Sequence, residues 1–163
     1  MHITNTDKDD VSGVYNILKE VYDPEIPVLS ILDLGIVRRV NLVNDKVEVI
    51  ITPTYSGCPA MDVIAMQIRM ALIEHGYKNV SIMSQLSPAW TTDWMTKEGR
   101  EKLRSYGIAP PIVKTSSREH WEVECPLCHS SDTKMLSEFG STACKSLYQC
   151  NSCKEPFDHF KCH

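Results

Sequence analysis

Apolar residues recur at helical spacing in two stretches of the chain, and a capping residue marks a third helix. The first predicted helix spans Val11–Tyr22 and ends there because Pro24 disfavours a helical conformation in the residue before it. The second begins after Pro59 and has an apolar face made of Met61, Ile64, Ala65, Ile68 and Leu72. Thr96 is the predicted N-cap of a third, short helix.

Three other stretches are rich in β-branched and aliphatic residues, which predicts strands. Ile36–Val43 and Lys46–Thr54 flank an Asn-Asp pair typical of a tight turn, so they are expected to form an antiparallel hairpin. Asn79–Leu86 is the third predicted strand. The order helix, strand, strand, helix, strand, helix predicts an α+β fold, a small sandwich in which helices pack on a mixed sheet.

A change in composition divides the chain. We predict a first domain over residues 1–111, a linker over residues 112–119 and a second domain over residues 120–163. The second domain is too short to bury an ordinary core. A structural zinc site would supply about 10–16 kcal/mol, which burial alone cannot provide there.

The second domain contains two Cys-x-x-Cys pairs, and four thiols at this spacing predict a metal site of the zinc-ribbon type. The predicted ligands are Cys125, Cys128, Cys150 and Cys153. Zinc is the expected metal for a closed structural site, while mononuclear iron or an iron–sulfur cluster also suits four thiolates.

Other residues of the tail could serve as spare ligands. Cys144 and Cys162 could replace a member of the set or serve a second metal, although packing is the favoured interpretation of both. His159 and His163 also lie near the tail cysteines, and we expect them to be exposed.

Cys58 is the other cysteine of interest, because it lies at the predicted N-terminus of the second helix. The helix dipole and exposed N–H groups there favour a thiolate, the form that attacks electrophiles or binds soft metals. A small buried core cysteine is an equally good interpretation. Asp23 and Glu25 could bind metal or orient a partner, but a capping acid and a solvated acid are the simpler interpretation. Trp90 and Trp94 are expected to pack in the core or a lid.

Composition narrows the functional classes. The net charge of −4 argues against a nucleic-acid-binding surface. The sequence has no signal peptide and no apolar stretch of membrane-spanning length, so we expect a cytoplasmic protein without a membrane partner. Its seven cysteines should then be thiols or metal ligands rather than disulfides.

Several short motifs together resemble the SufT-like metal–sulfur cluster assembly family. They are Asp23-Pro-Glu-Ile-Pro-Val28, Asp33-Leu-Gly35, Thr54-Tyr-Ser-Gly-Cys-Pro59 and Pro88-Ala-Trp90. The tail segments Ser137–Lys145 and Glu155-Pro-Phe-Asp158 extend the resemblance to the PaaD (PaaJ) family of phenylacetate-degradation proteins. This likeness implies an accessory protein that matures a metal centre of the phenylacetyl-CoA epoxidase system, with its iron–sulfur reductase as the favoured partner.

In this interpretation Cys58 handles a transient iron–sulfur cluster, with Asp23 and Glu25 beside it, and a homodimer is one way to complete the ligand set. The chain has neither the paired Glu-x-x-His ligands of a diiron oxygenase nor a Gly-rich dinucleotide loop, so it is not expected to be the enzyme. A non-catalytic structural subunit of the oxygenase is the second hypothesis. An enzyme with a Cys58 nucleophile is the third, and a nucleic-acid-binding ribbon is last.

Overall fold

The structure is a computed structural model that describes residues 11–112 and 122–161. The chain divides into two compact units, one ending at Trp90 and the other beginning at Thr91. None of the described helices is long and apolar enough to cross a membrane.

The first unit contains two helices and a three-stranded sheet. Its elements are α1 (Val11–Leu18), β1 (Val37–Val43), β2 (Lys46–Ile51), α2 (Ala60–Glu74) and β3 (Asn79–Ser84). The sheet order is β1-β2-β3, antiparallel between β1 and β2 and parallel between β2 and β3. Helix α1 contacts β1 and α2, and α2 contacts β3, so both helices cover the same side of the sheet. The predicted α+β fold with a mixed sheet is confirmed.

Local sequence accounts for the two connections of this sheet. Asn44 and Asp45 both have positive φ, 48° and 60°, which is the conformation of the hairpin turn that best matches strand twist. Helix α2 ends at Glu74, and Gly76 follows it with φ 89°. The Gly76 N–H donates to the Ile73 carbonyl and the Tyr77 N–H to the Leu72 carbonyl, which completes the end of the helix. The second and third strands are shorter than predicted and end at Ile51 and Ser84.

Every second side chain of β2 is buried, and these side chains belong to the core of the first unit. Val47, Val49 and Ile51 are buried, while Glu48 and Ile50 between them are partly exposed. The buried face of α2 also contributes to this core and consists of Ala60, Ile64, Ile68 and Leu72. Trp90 is also buried, and its indole N–H donates to the Leu34 carbonyl at 2.8 Å. Packing was therefore the correct interpretation of Trp90.

The second unit begins with a 3₁₀ turn (Thr92–Trp94) and α3 (Lys97–Ser105), followed by a four-stranded sheet. The strands are β4 (Ile108–Ala109), β5 (Thr133–Ser137), β6 (Lys145–Cys150) and β7 (Pro156–Phe160), in the order β4-β7-β6-β5. Thr96 caps α3 as predicted, because its hydroxyl accepts from the Gly99 N–H at 2.9 Å. Buried residues of this sheet form a small core with Val123 and two cysteines.

The division between the units lies earlier than the boundary predicted after residue 111. Strand β4 pairs in parallel with β7, and Ala109 belongs to the core of the second unit. Arg100 of α3 donates to the Pro111 and Thr92 carbonyls, which ties the helix to the segments on either side of it. Two-residue strands have no sequence period, so the pattern could not reveal this pairing. Most of the predicted linker over residues 112–119 lies outside the described residues.

His159 on β7 is buried in the second unit, although the sequence predicted an exposed position. Its Nδ1 lies 3.3 Å from the Ser146 hydroxyl, its ring contacts Tyr148 edge-on, and its buried Nε2 has no hydrogen-bond partner among the described residues. Burial lowers the pKa of His159 from 6.5 to about 4. A charged imidazole is unfavourable here because its second N–H would be buried without an acceptor.

This burial makes the second unit sensitive to acid. Below pH 6.5 the unfolded chain binds a proton at His159 more readily than the folded chain, so stability falls as the pH decreases towards 4. We expect about 2 kcal/mol of this loss between pH 7 and pH 5. Urea unfolding of the wild type and of His159→Phe, at both pH values, measures it. An equal loss in the two proteins would contradict the prediction.

Candidate functional site

The two Cys-x-x-Cys pairs fold into knuckles with the same backbone hydrogen bonds. In the first, the His129 N–H donates to the Cys125 carbonyl at 3.0 Å. In the second, the Lys154 N–H donates to the Cys150 carbonyl at the same distance. The donor residue has positive φ in both cases, 63° at His129 and 69° at Lys154. Each turn therefore points its two sulfur atoms in the same direction.

The knuckles bring the four predicted sulfur ligands together. Cys125 Sγ lies 3.8 Å from Cys153 Sγ, Cys128 Sγ lies 3.5 Å from Cys150 Sγ, and all four sulfurs lie within 4.8 Å of one another. A tetrahedron of thiolates about 2.3 Å from one zinc ion has edges of about 3.8 Å. The donor set therefore fits a single tetrahedral ion.

Local contacts favour deprotonation of one sulfur and oppose it at another. The Cys153 N–H donates to Cys150 Sγ at 3.5 Å, and this contact is the main cause that lowers the pKa of Cys150 to about 6. The Glu155 N–H acts to lower the pKa of Cys153, but burial and the neighbouring thiols outweigh it and raise that pKa to about 12. Four thiolates cannot coexist here unless a cation offsets their charge, so metal binding must release protons.

Cys144 does not join this cage. It is buried, its sulfur lies 3.0 Å from the Thr142 hydroxyl, and its carbonyl accepts from the Lys161 N–H. Within the described ranges, the four knuckle cysteines are the only group of three or more side chains placed to hold a metal ion. Cys162 and His163, the other spare ligands suggested by the sequence, lie outside the described residues. The six described cysteines are all free thiols.

Cys58 lies in a turn just before α2 and is half-buried. Its N–H donates to the Tyr55 carbonyl and its own carbonyl accepts from the Met61 N–H, which fixes the turn on both sides. Gly57 has φ 77°, a conformation that glycine adopts without steric cost. The local sequence thus positions the thiol at the N-terminus of α2, as predicted.

The electrostatic prediction for Cys58 was wrong in its net direction. Burial raises the pKa of Cys58 above its ordinary value, and the negative charges of Glu25 and Asp23 raise it further. The Ala60 N–H at the start of α2 and the Tyr55 hydroxyl act in the opposite direction. The helix terminus therefore favours the thiolate, but desolvation outweighs it. Tyr55 was not singled out from the sequence, although it precedes Cys58 by only three residues.

Asp23 and Glu25, the acids predicted to act with Cys58, both raise the pKa of its thiol through their negative charge, and Glu25 has the larger effect of the two. Asp23 also shapes its own loop, because its Oδ1 accepts from the Glu25 N–H at 2.7 Å and from the Ile26 N–H at 2.9 Å. Asp23 therefore fixes its own loop through side-chain-to-backbone bonds, although no helix begins there.

The sequence and the fold match known families. Residues 12–82 match a family described as iron–sulfur cluster assembly protein, and residues 109–161 match the PaaD zinc beta ribbon domain. A protein of Escherichia coli K12, named as a candidate subunit of 1,2-phenylacetyl-CoA epoxidase, is 52% identical over 93% of both chains. The chain belongs to the PaaD family.

Further relatives match a little over half of this PaaD family member. An Fe-S protein maturation auxiliary factor of Porphyromonas gingivalis is 38% identical over 55% of the chain and 87% of its own length. A conserved hypothetical protein of Thermotoga maritima covers 60% of the chain and 97% of its own, with 31% identity and a TM-score of 0.51. A DUF59 domain of Bacillus anthracis, 24% identical over 56% of the chain and 89% of its own, has a TM-score of 0.54 and shares the fold.

Loss of one knuckle sulfur should unfold the four-stranded sheet of the second unit. In Cys125→Ser we expect hydrogen-exchange protection over residues 122–161 to fall by at least about 100-fold, because the cage loses a ligand and the small core loses a buried member. The first unit should keep its protection. Cys58→Ser is the matched control and should leave the second unit unchanged. An unaltered exchange pattern in Cys125→Ser would show that the cage is not required for folding.

The charge environment of Cys58 can be measured by alkylation. Removing the Glu25 charge in Glu25→Gln should lower the pKa of Cys58, and iodoacetamide should then modify it about twofold faster at pH 8. Tyr55→Phe removes a contact that lowers the same pKa and should slow the reaction. Peptide-resolved mass spectrometry gives the rate at Cys58 alone. Glu48→Gln, on β2, is the control, and equal rates in all variants would refute the assignment.

Proposed function

We propose that the chain is an accessory maturation factor of the phenylacetyl-CoA epoxidase system and that Cys58 is its cluster-handling thiol. The observation that carries the proposal is the position of Cys58, which is half-buried at the N-terminus of α2 and is influenced by the negative charges of Glu25 and Asp23. This thiol lies in the unit that matches the iron–sulfur assembly family, and the same chain carries the PaaD ribbon. The reducing cytoplasm is the compartment that suits this chemistry.

The raised pKa of Cys58 suits a transient carrier rather than a permanent ligand. At rest the group is a neutral thiol, and binding of an iron–sulfur cluster as cargo replaces the thiol proton with iron and releases that proton. When the cluster leaves, the nearby carboxylates favour reprotonation of the sulfur over a free thiolate. The same charges therefore disfavour a free thiolate at Cys58 after the cluster has left.

One thiol does not fill the ligand set of a [2Fe–2S] or [4Fe–4S] cluster, each of which takes about four protein ligands. The remaining ligands must come from the target protein, a second copy of the chain or small thiols. We propose that the iron–sulfur reductase of the epoxidase system is the target. In this role the chain is not itself an enzyme.

The ribbon serves a separate purpose in this proposal. Zinc would occupy the cage of Cys125, Cys128, Cys150 and Cys153 as a structural ion, because a closed set of four thiolates leaves no position for substrate. Such an ion supplies folding free energy to a sheet with a small core. The folded ribbon would then select the partner to which the first unit delivers its cargo.

A structural subunit of the oxygenase is the second candidate function. The name of the Escherichia coli relative, which describes it as part of the epoxidase, favours this role. A Cys58 nucleophile is less well supported, since an activated nucleophilic cysteine needs a lowered pKa or an adjacent base. Burial and the neighbouring carboxylates raise the pKa of Cys58 instead.

Cluster content of the reductase tests the proposal. In cells that depend on phenylacetate, Cys58→Ser should reduce the iron and labile sulfide of the purified reductase to near the level of a deletion strain. Ser56→Ala is the matched control, because Ser56 is exposed on the same turn and offers no soft ligand. Hydrogen exchange confirms that both variants fold.

The outcomes separate the two candidates. Full cluster occupancy in the reductase of the Cys58→Ser strain would refute cluster handling. Three results together would support the structural subunit. The reductase of the deletion strain would keep its full cluster content, its epoxidase activity would be lost, and the chain would copurify with the epoxidase in fixed stoichiometry. Activity restored by chemical reconstitution of the reductase would support maturation.

A further inference from the structure

The outward face of α2 carries a row of apolar side chains that the core does not use. Its members are 38%, 56%, 53% and 51% exposed, and they are Val63, Met66, Met70 and Ile73. The buried residues of the same helix lie on the opposite face. We call this row the α2 stripe. Soluble surfaces rarely keep several large apolar residues adjacent unless another molecule covers them.

The α2 stripe has the same pattern in both directions along the helix. Its positions are separated by three, four and three residues, which is the spacing of a helix–helix seam. Its two outer members, Val63 and Ile73, are β-branched, and its two inner members are methionines. Two such helices packed antiparallel would place Val63 of each against Ile73 of the other and the methionines against each other.

A basic groove lies at the C-terminal end of the stripe. Ile73 lines this groove of about 310 Å³ together with the cations Lys46, Arg69 and Lys78, and no carboxylate lines it. Lys46 comes beside Lys78 because it pairs with Asn79 across the parallel strands. The Arg69 guanidinium is held there by a 2.8 Å bond to the Val80 carbonyl. Glu74 follows Ile73 on α2 but does not line the groove.

The N-terminal end of the stripe carries the opposite charge. Asp62 is exposed in the first turn of α2, next to Val63. In an antiparallel pair of helices, the residue beside Val63 of one copy lies beside Ile73 of the other. Asp62 of each copy would therefore face the basic groove of its partner, so the surface is complementary to itself in shape and in charge.

The geometry points to a second copy of the chain as the occupant of this face, in a two-fold dimer with α2 packed antiparallel to α2. The stripe alone is smaller than the roughly 800 Å² per partner of a standard interface, so the dimer is reversible and depends on concentration. The dimer does not rest on the proposed function. It limits how Cys58 could act, because the N-termini of the two α2 helices would lie about 24 Å apart along the helix axis. Two Cys58 thiols could not share one cluster across this dimer.

Charge-reversal substitutions at the proposed contacts test the dimer. Sedimentation velocity of the full chain over a range of concentrations gives the dissociation constant. Asp62→Lys should weaken self-association at least about fivefold, since it breaks two equivalent contacts per dimer. Lys78→Glu should weaken it too. Glu98→Lys, on α3, is the control of equal charge change and should leave the constant unchanged.

The dissociation constant of a mixture of the Asp62→Lys and Lys78→Glu variants is the decisive measurement. The lysine introduced in one variant then faces the glutamate introduced in the other, while the second contact keeps the native charges, so the mixture should associate about as tightly as the wild type. A wild-type chain that stays monomeric up to about 1 mM would overturn the proposal. So would a dimer insensitive to Asp62→Lys, or a mixture no tighter than its components. A heterologous protein that binds the stripe of a monomeric chain would reassign the face to that protein.

Discussion

Convergence of four sulfur atoms is the constraint on which the second unit depends. Two of them, Cys125 and Cys150, are members of the small core that joins Ala109, Val123 and Phe157. The cage is thus part of the packing and not an appendage to it. A bound cation would offset the charge of the thiolates, so metal binding would stabilise the same cluster of cysteines that packs in this core.

The sequence was most informative where a feature depends on residues close together in the chain. Knuckle spacing, the Asn44-Asp45 turn and the Thr96 cap are local, and the structure confirms each. Features that depend on distant residues were missed. The pairing of β4 with β7 joins segments far apart in the chain, and burial of His159 follows from packing between strands. Neither leaves a periodic pattern.

Cys58 shows the same limit at the level of chemistry. Its place before α2 was predictable from Gly57 and Pro59, and so was the sign of the helix contribution. Desolvation and two carboxylates from a loop more than thirty residues earlier decide the net direction. The position of Cys58 is therefore set by neighbouring residues of the sequence, whereas its pKa is set mainly by burial and by residues distant in the sequence. In the proposed carrier role, such a thiol would exchange its cargo without remaining a permanent anion, because burial and the charges of Glu25 and Asp23 raise its pKa.

The pairing of β4 with β7 also determines where the ribbon can be separated or transplanted. A graft that starts at residue 120 would leave out Ile108 and Ala109, so it would present the unpaired edge of β7 to solvent. An open strand edge is a template for association with other chains, and Phe157 would lose Ala109 as a core neighbour. A segment transferred between relatives should therefore include β4, and a junction at Thr91, where the second compact unit begins, keeps that strand with β7.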